Sequence, residues 1–239
     1  MPSEKSTVEE IRRRFDADVE RFSQLRTGQS ATMDAPLVLE LISRSAAATT
    51  PNARHLLDVG CGAGNFTLEL LERIANLSVT LVDLSRPMLD RAVERISKAT
   101  TGQITTHQGD IRELNLEAGQ FDLITAAAVL HHLRSDDEWK SVLTKFHRWL
   151  RPGGSLWVAD HIEQEIPGVQ EVMKDRWCEH LTQLKGPEYC EQVLAYTAKE
   201  DSPRSLIFQL EMLRQAGFVT MDIVHKNGPF AAYCAVKTA

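Results

Sequence analysis

The stretch LDVGCGAGNF, Leu57 to Phe66, decides how the rest of the chain reads. A short apolar run carries an acid, and three glycines follow at alternate positions, Gly60, Gly62 and Gly64. A turn of this kind brings backbone amides and a helix N-terminus up to a ligand at the end of a buried strand. From residue 53 onward, β-rich runs alternate with helical patterns; the runs cover residues 55–59, 79–83, 103–107, 121–126, 155–160, 220–225 and 230–236. That alternation predicts repeated βαβ units in an α/β, doubly wound, mostly parallel sheet. Several runs are apolar nearly throughout, as LITAAAV is, which strands covered on both faces require.

Helix ends are legible between the strands. Ser85 followed by Pro87 starts one helix, and Ser135-Asp136-Asp137-Glu138 reads as a capping box opening another, with Trp139, Val142, Leu143, Phe146 and Leu150 at helical spacing. The RPGG that follows, residues 151–154, predicts a stop and a tight reversal. Two segments fall outside the alternation. Residues 6–48 read as two helices, opened by the capping box Thr7-Val8-Glu9-Glu10 and striped by Val8, Ile11, Phe15, Val19 and Phe22. Residues 162–201 are helical in pattern, carry Trp177, Tyr189 and Tyr196, and are too long for a simple connection between the fifth strand and the helix expected to begin near Ser202-Pro203. The expected organisation is a helical cap over residues 1–50 and a ligand-binding domain over 51–239, with residues 162–201 inserted as a lid.

With 239 residues, 43% of them hydrophobic, one sizeable core is within reach. The net charge of −6 disfavours nucleic acid as a partner, since the longest basic block, Arg12-Arg13-Arg14, is interleaved with acids. The start, MPSEKSTVEE, lacks the apolar run of a signal peptide, and no apolar stretch is long enough to span a bilayer, so a soluble cytoplasmic protein is expected. Cys61, Cys178, Cys190 and Cys234 are widely spaced, which predicts four reduced thiols.

The glycine turn excludes some ligands. In the dinucleotide fingerprint G-x-G-x-x-G the last glycine position falls on Asn65, and the lysine of a phosphate-cradling loop is absent. Asp58, two places before Gly60, would repel a pyrophosphate and attract a ligand with an ammonium group and a cationic centre. Asp83 ends the second strand in LVDLS, where an acid accepts from ribose hydroxyls, and Asp110 in HQGDI is placed to accept from an adenine amino group. Together these describe S-adenosylmethionine (SAM).

With these segments the chain resembles the class I SAM-dependent methyltransferases: LLDVGCGAGNF, LVDLSRPML and QGDI look like the first three motifs, and FDLITAAAVLHHL with LRPGGSLWVAD the later segments. The resemblance implies a seven-stranded sheet with an antiparallel last strand. It implies that Gly60, Gly62 and Gly64 bound the methionine moiety, Asp83 holds the ribose, Leu84 and Met88 flank the adenine, and Asp110 with Ile111 contacts the base. Asp58, Cys61 and Ala126 complete the expected cofactor set.

Methyl transfer is an in-line displacement in which the protein mainly aligns reactants and excludes water, and a base is needed only if the acceptor must lose a proton. The segments AVLHHL and ADHIE face the transferred methyl in the resembling family, so His131, with His132 as its neighbour, and His161 beside Asp160 are the catalytic candidates. No settled metal-ligand spacing is present, and no metal is expected. The expected activity is methylation of a small organic acceptor beneath the cap, with a homodimer left open. One alternative is modification of tRNA or a protein side chain through Arg12, Arg13, Arg14 and Lys185. A related one is carboxy-SAM chemistry, for which the required arginine position falls on Met212. Another is a non-catalytic SAM-binding sensor.

Overall fold

A computed structural model describes residues 5–24 and 28–238; residues 1–4 of the quoted N-terminus and residues 25–27 of the expected cap lie outside it. Strands β1 (His55–Val59), β2 (Ser78–Asp83), β3 (Ile104–Gln108), β4 (Phe121–Ala127), β5 (Leu150–His161), β6 (Thr220–Asn227) and β7 (Phe230–Val236) form one sheet in the order β3-β2-β1-β4-β5-β7-β6. The first five pair in parallel, and β7 runs antiparallel to both β5 and β6. Strand order reverses direction between β1 and β4, and in open α/β sheets a ligand crevice opens there, beyond the carboxyl ends of the strands.

Helices cover both faces. On one, α6 (Asp136–Trp149) and α9 (Leu206–Gln215) bury Trp139, Phe146, Trp149 and Leu213 against β1, β4, β5 and β7. On the other, α3 (Ala35–Thr49), α4 (Asn65–Leu71) and α5 (Arg86–Ile96) bury Leu39, Ile42, Leu70 and Leu89. Along β1 the side chains alternate, Leu57 and Val59 joining the first cluster and Leu56 the second.

The N-terminal segment forms α1 (Val8–Ala17) and α2 (Val19–Phe22), broken at Asp18, ahead of α3. The inserted segment forms α7 (Pro167–Lys185) and α8 (Pro187–Glu200), separated by Gly186 at φ +89° and by Pro187, whose ring suits a helix start. Arg14 of α1 donates to both carboxylate oxygens of Glu200, and Lys5 Nζ donates to the Ala198 carbonyl at 2.9 Å, which straps the N-terminal segment to α8.

Four local expectations need correction. Helix α6 passes directly into β5, so residues 151–154 are strand rather than reversal; Phe121 pairs with Leu150 and Leu123 with Ser155, a register shift that absorbs the extra residues. The Ser135 hydroxyl accepts from Glu138 N–H, but the Glu138 carboxylate turns to Arg134 N–H and Arg112, so only half a capping box forms, whereas the Thr7 box is complete. The last helix starts after Ser205, whose hydroxyl accepts from Phe208 N–H, because Ser202 N–H is spent on the His131 carbonyl. Cys178 and Cys190 are joined in a disulfide between α7 and α8, leaving Cys61 and Cys234 as buried free thiols rather than four reduced ones. The helical hairpin brings two cysteines 12 residues apart to a Cα separation of 5.4 Å, a proximity that sequence spacing does not display.

Gly64 caps α4 at φ +83°, and a Cβ there would lie 2.9 Å from Ile96 Cδ1 and 3.3 Å from Ala92 Cβ. Gly64→Ala is expected to lower the unfolding free energy by about 1–3 kcal/mol, from left-handed backbone strain and the clash with α5. Urea denaturation checks this; a midpoint equal to wild type would contradict the packing role.

Candidate active site

The carboxyl ends of β1, β2, β4 and β5 open into a cavity of about 240 Å³. Its floor is the turn after β1, where Gly60, Cys61 and Gly62 reach the wall. Gly62 sits at φ +50° with open space where a Cβ would stand, and its N–H donates to Asp83 Oδ2 at 2.8 Å. Leu84, Met88, Asp110 and Ile111 continue the wall beyond β2 and β3. Gly64 and Ala126 do not line it, contrary to expectation: Gly64 faces α5, and Ala126 is buried in the core while its neighbours Ala127 and Ala128 face the cavity.

Two carboxylates sit in the protein interior here. Asp58, 2% exposed, accepts hydrogen bonds from Thr67 Oγ1 at 2.7 Å and Thr125 Oγ1 at 2.8 Å. Asp83 Oδ1 accepts from Ser85 N–H at 2.8 Å, alongside the bond to Gly62. Burial pushes each carboxyl up to about 6, and the charge of Asp83 adds to the shift at Asp58. Among the described residues no lysine, arginine or histidine pairs with either. Asp110 differs: its carboxylate is held by the Arg112 guanidinium at 2.6 Å, and Arg112 reaches on to Glu138 at 2.8 Å. Burial opposes ionisation of Asp110, but the Arg112 hydrogen bonds outweigh it and hold the carboxyl below its ordinary value.

The roof comes from the strapped helices. Ile11, Arg14, Phe15 and Phe22 descend from α1 and α2, and Trp177 and Tyr196 from α7 and α8. Trp177 meets Phe230 at a centroid distance of 5.4 Å, and His161 lies 5.3 Å from the Trp177 ring, so this end of the cavity has aromatic walls. Arg12 and Arg13 are paired with Glu9 and Arg14 with Glu200, so the basic block forms no phosphate-tracking stripe. Met212 is buried in the core and puts no cation near the site.

His131 and His161 both line this cavity, and the structure gathers them with His132 around an acid that spacing alone did not single out, Asp201 at the end of α8. His131 Nδ1 is hydrogen-bonded to Asp160, and its Nε2 lies 3.6 Å from Asp201 Oδ1. His161 Nδ1 meets Asp201 Oδ2 at 3.2 Å. Burial disfavours a charged His131 ring, yet Asp201 and Asp160 outweigh it and push its pKa up to about 9; burial together with the charge on His131 takes His132 down to about 3. Asp201 lies 40 residues from His161 and carries no motif.

Residues 56–154 match the methyltransferase-domain family. The chain is 25% identical over 189 residues to a demethylmenaquinone methyltransferase of Lactococcus lactis, covering 77% of this chain and 73% of that one. Among solved structures, the [4+2]-cyclase SpnF superposes with a TM-score of 0.67 at 16% identity, over 99% of this chain and 98% of that one. A Haemonchus contortus phosphoethanolamine N-methyltransferase, in complex with phosphomonomethylethanolamine and S-adenosylhomocysteine, superposes at 0.64 with 15% identity, over 94% and 58%. Sheet order and glycine turn match the Rossmann-like methyltransferase fold of these structures, and with the domain match over residues 56–154 they support a class I SAM-dependent methyltransferase. Among the described residues, no helix is long and apolar enough to cross a membrane.

Because Asp58 and Asp83 are raised above the ordinary value of 3.8, folding takes up protons between that value and about 6. Their contribution to the unliganded protein is therefore best in acid and is lost as the pH rises through about 6. Asp58→Asn should make the unliganded protein more stable than wild type at pH 8, by at most about 3 kcal/mol, with the gain fading toward about pH 4. Scanning calorimetry across that range checks it; a variant less stable at pH 8 than at pH 4 relative to wild type would rule out burial as the cause.

Proposed function

We propose that this enzyme carries a methyl group from SAM to a small, planar organic acceptor held beneath the helical roof. The observation that carries the reading is the pair of buried carboxylates, Asp58 and Asp83, facing one cavity with a glycine turn and lacking a cationic partner among the described residues. A site that buries two acids this way is destabilised on its own and relieved by a positively charged ligand. SAM supplies an electrophilic methyl on its sulfonium when bound. Asp58 and Asp83 then provide the field and the hydroxyl acceptors that orient it, and Gly62 leaves room for its approach to the backbone.

The chain's remaining work is to align the acceptor and keep water out. Phe15, Trp177, Tyr196 and Phe230 favour a flat, partly apolar acceptor over a highly charged one. The menaquinone-type substrate named for the Lactococcus relative is of that class. When the acceptor must lose a proton, His161 is the better placed base. Both ring nitrogens of His131 face carboxylates, whereas the hydrogen bond to Asp201 occupies only His161 Nδ1.

Calorimetric titration with SAM and S-adenosylhomocysteine, followed by transfer of labelled methyl into a panel of aromatic hydroxyl and quinol acceptors, tests this. Wild type should bind SAM, and Asp83→Ala should bind it at least about tenfold more weakly for the loss of two accepting oxygens to charged or hydroxyl groups. His161→Ala should keep SAM affinity and lose about 100-fold in turnover of a hydroxyl acceptor. No SAM binding by wild type would overturn the proposal, and full turnover in His161→Ala would remove the base assignment.

A further inference from the structure

The loop after β4 and the end of α8 bring three metal-ligand side chains together. His131, His132 and Asp201 each offer one donor atom, and the three donors lie within 4.8 Å of one another. His131 Nε2 is 3.6 Å and His132 Nδ1 3.9 Å from Asp201 Oδ1. A tetrahedral ion with bonds of about 2.0–2.1 Å holds its donors roughly 3.3 Å apart. Shifts of about half an ångström or less would close these two separations onto a cation.

His132 is the telling residue. Its Nδ1 is buried and has no hydrogen-bond partner among the described residues. Buried polar atoms are seldom left unpaired, because nothing repays their lost hydration. A cation between this nitrogen and Asp201 would satisfy both. Asp160 adds the supporting half of a metal site. It accepts from His131 Nδ1 and is itself fixed by the backbone N–H groups of His131 at 3.1 Å and His161 at 2.8 Å. A carboxylate behind an imidazole in this way sets the tautomer and aims the opposite ring nitrogen at a metal. Charge also suits a cation: once His131 binds as a neutral ligand, Asp160 and Asp201 leave two carboxylates to balance, since the nearby Arg14 is neutralised by Glu200.

We propose that His131, His132 and Asp201 bind a divalent first-row transition-metal ion, with Asp160 as the residue that positions His131. Two imidazoles and one carboxylate suit zinc or ferrous iron better than magnesium or calcium. The ion takes the lone pairs of His131 Nε2 and His132 Nδ1, and any proton displaced from a ligand nitrogen leaves to solvent. All three ligands line the cavity, so the remaining coordination positions face the space for the methyl acceptor. An acceptor with two adjacent oxygen donors, such as a hydroxyl beside a carbonyl, is the class such an ion would hold; this last step rests on the methyltransferase reading, whereas the ion site does not.

The test is titration of the chelator-treated full-length protein with Co²⁺, read by its visible ligand-field absorption, and with Zn²⁺ by calorimetry. One equivalent should bind to wild type. His132→Ala, whose Nδ1 has no hydrogen bond to lose, and Asp201→Asn should weaken binding by about 100-fold or more, and Asp160→Asn by about 10- to 100-fold. A near-ultraviolet circular dichroism spectrum equal to wild type certifies that each variant is folded, and His180→Ala should leave the titration unchanged. No stoichiometric binding to wild type, or an unaltered titration in His132→Ala, would overturn the site. Neither readout needs methyl transfer, so failure here leaves the methyltransferase reading standing, and failure of SAM binding leaves the ion titration interpretable.

Discussion

Asp58 is an acid in the middle of the sheet, and hydrogen bonds from Thr67 and Thr125 are what make its burial tolerable. Those two bonds tie the end of β1 to α4 on one side and to β4 on the other, at the place where the strand order reverses. The turn that follows has to fold back under them, and it does so with Gly62 in the left-handed region and its N–H on Asp83. One network therefore sets three things together: the path of the chain at the crevice, the closeness of two carboxylates, and the charge of the cavity above them. An acid at this depth weakens the unliganded fold, and its retention makes sense when a cationic ligand shares the site.

A second network closes the cavity from above. Arg14 holds Glu200, Lys5 holds the Ala198 carbonyl, and the disulfide joins the two inserted helices. The residue after Glu200 is Asp201, and fixing the end of α8 delivers its carboxylate to three histidines that belong to other parts of the chain. The contacts that hold α8 under α1 thus also fix Asp201 beside the histidines.

Much of the fold was legible because strand and helix periods are local properties. The runs at residues 55–59 and 230–236 coincide with β1 and β7, and the Thr7 and Ser85 caps form as their side chains require. The misreadings have local causes too. Proline and two glycines at residues 151–154 are turn formers in isolation, yet pairing with β4 and the Gly153 N–H bond to Lys237 draw them into β5. Within the site, Asp83, Leu84, Met88, Asp110 and Ile111 reach the wall as their motifs imply, whereas Ala126 misses by one residue because alternate strand side chains point to opposite faces.

What the sequence by itself determined is the α/β architecture and the glycine turn flanked by acids, since each depends on residues close together in the chain. Only the tertiary structure decided that Gly64 packs against α5, that Cys178 meets Cys190, and that Asp201 meets His131, His132 and His161. Those pairings depend on where helices dock, and docking is set by the summed burial of whole apolar faces, which leaves no mark on the spacing of the residues it brings together.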